Sequence, residues 1–195
     1  MRRLYSGEGL LGQFMNLFVP DPISSKVIPS DIQEAVVTHL GGDKHKWYCF
    51  VPSADGALVA VDFERAEPEP AGRFLHVGLW KPADGPTLVP AVDITGPVRF
   101  DKPYGCHLAT EAATGSFDTP CDPDQPSSVP VQPAGGWVWD RRATLVLGIT
   151  RDGQEVTVEP RNGCWLLVPP DGLAGEWREF QVKDRLRRVI YGREL

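Results

Sequence analysis

Among the residues able to do chemistry, His76 has the most suggestive surroundings. In an extended run, Phe74, His76, Gly78 and Trp80 share one face, and Arg73, Leu75, Val77 and Leu79 share the other. The first face joins aromatic surface to a side chain that titrates near neutral pH. Turned into a cleft, it would form a ligand pocket with His76 as acid or base and Phe74 and Trp80 as its walls. Asp62 and Glu64, on the preceding strand, are the candidates to orient the imidazole and complete a ligand-binding set. The plainer alternative is a half-buried sheet histidine bonded to backbone.

Other constellations carry less. Trp137 and Trp139 are two residues apart and face one side of a strand. Exposed, they would make a sugar-stacking or protein-docking surface; buried, they are core. Cys106 and His107 are adjacent, but neighbours on a strand or loop point apart, which argues against a nucleophile–base pair. His45, Cys49, Cys106, His107 and Cys121 lack the two tight ligand pairs of a structural zinc site, and on a strand an offset of four spans about 13 Å. Asp118, Asp122 and Asp124 lie among prolines and lack the glycine and terminal glutamate of a calcium loop. No phosphate loop, dinucleotide-binding glycine pattern, His-Glu-x-x-His or Gly-x-Ser-x-Gly is present. The expectation is therefore no metal and no cofactor.

The elements that must position these residues are mostly strands. Asp-Gly recurs at 55–56, 84–85, 152–153 and 171–172, each pair beside short apolar runs, and it tolerates the positive φ angles of tight hairpins. Strands are expected at 47–51, 57–63, 73–80, 87–94, 98–100, 137–139, 143–149, 155–158, 163–168 and 176–182. In the second, Val59, Val61 and Phe63 alternate with Leu58, Ala60, Asp62 and Glu64, the pattern of a sheet with one wet face. The tail, 183–195, fits either a helix or a strand. Ahead of the strands, Leu10, Leu11, Phe14, Leu17 and Phe18 fall on one helix face, and Ser30-Asp31-Ile32-Gln33 starts a second helix that Gly41-Gly42 stops.

The fold expected is mainly β: a sandwich or partly closed antiparallel barrel of about nine or ten strands with two N-terminal helices. We divide the single domain, 1–195, into a helical segment (1–42), a first β half (43–100), a Pro-rich surface loop (101–135) and a second β half (136–195).

Composition narrows function. The 195-residue chain carries a formal net charge of −6, which disfavours non-specific nucleic-acid binding because cations must replace counterions along the phosphates. Arg185, Arg187, Arg188 and Arg193 form a local basic cluster, read as solvated surface. No apolar run reaches a membrane span, and Met1-Arg2-Arg3 is followed by no apolar signal region. A cytoplasmic location without membrane or nucleic-acid partners is expected, with oligomeric state open. Cys49 and Cys164 read as buried thiols, and Cys106–Cys121 is the one plausible bridge. Two function classes follow. The first is a non-catalytic binding or interaction protein holding a protein or small-molecule partner on the β scaffold. The second is a small cofactor-independent enzyme of cyclase, isomerase or hydrolase type with His76 as acid or base.

Overall fold

Strand β2 (Gly56–Arg65) sets the architecture, because its middle is buried on both faces. Val59, Val61 and Phe63 are fully buried on one side, and Ala60 and Asp62 on the other. A strand of this kind must be covered twice. In the computed structural model, which describes residues 19–54, 56–65, 72–83, 87–99, 102–108 and 130–195, it is. The expectation of one wet face is thereby corrected.

The first sheet is an antiparallel meander of β1 (Asp43–Ser53), β2, β3 (Gly72–Pro82) and β4 (Leu88–Pro97), in that spatial order. Helix α1 (Ser30–Leu40) covers one face, burying Ile32, Val36 and Leu40 against Trp47, Val59, Val61, Phe63, Phe74 and Trp80. These three positions are four apart, one stripe of a helix. Gly41, at φ +62°, ends it.

The opposite face packs on a three-stranded middle sheet, ordered β5 (Tyr104–Leu108), β6 (Ala134–Val138) and β9 (Cys164–Leu167). Leu75, Val77 and Ile94 meet Trp137, Trp139 and Leu166 there. All residues of β6 and β9 are buried, because a third sheet covers their far side. That outer sheet runs β11 (Val189–Glu194), β10 (Trp177–Lys183), β7 (Leu145–Thr150) and β8 (Glu155–Val158). Its Val146, Phe180 and Val182 close on Val138, Trp165 and Leu167. The Asp152-Gly153 turn joins β7 to β8, with Gly153 at φ +88°.

The protein is therefore mainly β with open, stacked antiparallel sheets, not a closed barrel. Among the described residues there is one α-helix; the other expected helix, at 10–18, lies outside them. Tyr104–Leu108 is a strand inside the stretch expected to be a loop, and 109–129 lie outside the described residues. The ambiguous tail is strand β11. Among the described residues, no helix is long and apolar enough to cross a membrane. Cys49, Cys106 and Cys164 are buried free thiols, and Cys121 lies outside the described residues.

Candidate functional site

On β3 the alternation turns Phe74, His76 and Trp80 toward the helix and Leu75 and Val77 toward the middle sheet. His76 has no solvent exposure. Its ring lies over Gly78, where a Cβ would stand 2.5 Å from Nε2. Trp80 Nε1–H donates to His76 Nε2 at 3.1 Å. A ring nitrogen that accepts carries no proton, so the proton sits on Nδ1. Nδ1 lies 2.9 Å from Asp93 Oδ1 and 3.1 Å from Thr95 Oγ1. Thr95 in turn donates its hydroxyl proton to Asp93 Oδ1 at 3.1 Å.

Strand register explains this grouping. His76 pairs with Thr95 and Gly78 with Asp93, so two alternate residues of β4 flank the imidazole. The second oxygen of Asp93 reaches His39 Nε2, 2.6 Å away, on the last turn of α1. His39 stands edge-on to Trp80 at 5.4 Å. One carboxylate thus bridges a sealed imidazole and a half-exposed one, and ties the helix C-terminus to the sheet. Partial burial opposes the Asp93 charge, but hydrogen bonds from His76 and His39 outweigh it and hold the carboxyl well below the usual carboxylate range.

This geometry limits the chemistry. Both nitrogens of His76 are committed, and protonating Nε2 would break the Trp80 bond. Thr95, the one hydroxyl bonded into the network, spends its proton on Asp93. His39 alone presents a ring to solvent, with 39% of its side chain exposed.

The other expected site residues lie elsewhere. Asp62 pairs with Leu75, not His76, and so points to the opposite face. There it forms an ion pair with Arg73 and accepts from the Tyr48 hydroxyl at 3.5 Å, while its Oδ1 has no partner. Burial pushes its carboxyl above the usual value against the pull of Arg73 and Lys46. Glu64 is at the surface, 2.7 Å from Lys44 Nζ. Neither orients the imidazole; Val61 occupies the position opposite it. Trp137 and Trp139 offer no docking surface, since both are buried between sheets with rings 6.4 Å apart. Gly105 makes room for Trp137, whose ring would lie 2.2 Å from a Cβ there. Cys106 and His107 point apart: the thiol joins the outer core, and the imidazole lies tilted against Trp137 with ring centroids 5.5 Å apart. The sequence does not single out His39, Asp93 or Thr95; the alternation of Asp93-Ile94-Thr95 places Asp93 and Thr95 on one face, while nothing local points to His39.

No family model, curated protein or solved structure matches the chain. Besides these side chains, one further region gathers groups able to meet a partner.

That region is the end of the outer sheet where β10 turns into β11. Asp184 accepts from the Leu186 and Arg188 amides, both at 2.9 Å, and from Arg188 Nε at 2.7 Å. Arg187 is held at φ +62°. The turn is thus braced from within, and it projects Leu186, 70% exposed, between Arg185 and Arg187. Among the described residues, neither of these arginines has an acidic side chain within ion-pair distance. Val189, 52% exposed, follows. The neighbouring turn, 140–143, adjoins it through Thr144 N–H donating to the Lys183 carbonyl at 2.9 Å. There Asp140 is consumed by Arg142, at 2.9 and 3.1 Å, and by the Tyr191 hydroxyl at 2.6 Å. A cleft of about 220 Å³ opens at the same end, lined by Pro20, Val138, Asp140, Arg141, Pro160 and Asn162. The two aspartates of these turns are turned inward, while Lys183, Arg185 and Arg187 keep their charge for solvent.

Proposed function

We propose that this is a non-catalytic interaction protein that docks an anionic partner through the basic end of its outer sheet. The observation that carries this reading is Leu186, held out on a braced hairpin between two arginines that, among the described residues, have no acidic side chain within ion-pair distance. Leu186 and Val189 beside the flanking cations present apolar surface and charge to one partner, which fits a contact that desolvates both. The histidine network is scaffold in this reading, because its buried member has no free nitrogen. Three free, buried thiols fit a reducing, cytoplasmic setting.

Cation-exchange chromatography near neutral pH tests this directly. A chain of formal charge −6 passes through a sulfonated matrix unless its cations are gathered on one face. We expect the protein to be retained and Arg185→Gln/Arg187→Gln to flow through. Flow-through of the unaltered protein would refute the proposal.

A second reading keeps the enzyme class but moves the acid or base from His76 to His39. It is favoured by one observation: His39 meets solvent while its Nε2 is fixed by an ionised carboxylate.

A further inference from the structure

We infer that the anionic partner is the surface of a lipid bilayer rich in acidic headgroups. This rests on the docking reading above and names its partner. An acidic headgroup layer presents two things at different depths: phosphates at the surface and an acyl boundary beneath them. The hairpin presents the complement. Leu186 stands at the apex, with Arg185 and Arg187 beside it in sequence and Lys183 and Arg188 behind. Arginine and lysine reach phosphates while their stems and the leucine enter less polar surroundings. Val189, directly after the turn, extends the apolar contact.

Two further features fit this assignment. The aspartates of both turns point inward to Arg142, Tyr191 and Arg188 and so do not repel phosphate. Leu186 gains nothing from the phosphates of a nucleic acid, which lie in water. An acidic protein would need a socket matched to one side chain, whereas a bilayer accepts any apolar tip. The earlier expectation of no membrane partner rested on the lack of a spanning segment, and docking requires none.

The test is co-sedimentation of the full chain with vesicles of phosphatidylcholine mixed with phosphatidylglycerol, beside vesicles of phosphatidylcholine alone. We expect pelleting with the mixed vesicles only, and release as salt is raised. Arg185→Gln/Arg187→Gln should weaken binding about thirtyfold, from about fivefold per cation. Leu186→Asn should weaken it at unchanged charge. All three side chains are exposed, so unchanged melting temperatures will show that the variants remain folded. Equal binding to both vesicle types, no pelleting, insensitivity to Leu186→Asn, or full displacement by duplex DNA would overturn the lipid assignment. Retention on the cation exchanger with no vesicle binding would remove the lipid and leave the docking reading. Loss of both would remove both.

Discussion

The helix–sheet seam and the tip of the β10–β11 hairpin both gather titratable side chains, and they treat them in opposite ways. At the seam, every polar atom of His76, Thr95 and Trp80 that the fold removes from water is given a partner within the protein. At the tip, Asp184 satisfies the turn's own amides and one arginine, and Arg185 and Arg187 are left for solvent. The seam spends its chemistry on holding α1 to the sheet. The tip spends one carboxylate on rigidity and keeps its cations available. Reactive residue types do not by themselves mark a site; what matters is whether their bonding capacity is already used.

The largest effect that would sharpen this contrast is at the seam. His76→Ala leaves the Trp80 indole N–H buried without an acceptor and opens a cavity, at a combined cost of about 3–5 kcal/mol. Urea unfolding measures it. The arginine pair, in contrast, should change stability by less than about 0.5 kcal/mol. A His76→Ala protein as stable as the parent would break the comparison.

A smaller effect follows from Asp93. Its carboxyl is held below the usual value in the folded state, so it contributes stability above an unfolded pKa of about 4. That contribution disappears as pH falls through the depressed folded value. Acid titration of the melting temperature should therefore show a decline that Asp93→Asn shallows. The side chain is about one-third exposed, so solvent screening reduces the size of the effect. A parent protein that gains stability on acidification over this range would contradict the sign.

Much of the seam was legible and the rest was not, for reasons that lie in particular residues. Period-two alternation was enough to place Phe74, His76 and Trp80 on one face. It could not choose the neighbouring strand that supplies the carboxylate. Alternation alone makes Asp62 a candidate to orient the imidazole, but register puts Val61 opposite His76 and leaves Asp62 facing the middle sheet. His39 arrives from a helix more than thirty residues away, by a contact that only tertiary packing creates. Tyr104–Leu108 lies at the start of a stretch whose many prolines point to a loop, and the strand signal there is short; Gly105 within it admits the Trp137 ring. The cluster of arginines near the C-terminus is visible in the sequence, and Arg185, Arg187 and Arg188 are exposed as solvated charge is expected to be. Composition could not show that Asp184 braces the turn and raises Leu186 between them.

Two-dimensional amide NMR of the isotope-labelled protein, titrated with phosphatidylcholine/phosphatidylglycerol bicelles, tests the division between scaffold and docking surface most directly. Shifts and broadening are expected at residues 183–189 and 141–144, with the amides of His39, His76, Asp93 and Thr95 unmoved. Perturbation centred on His39 and Asp93, with the hairpin silent, would contradict it.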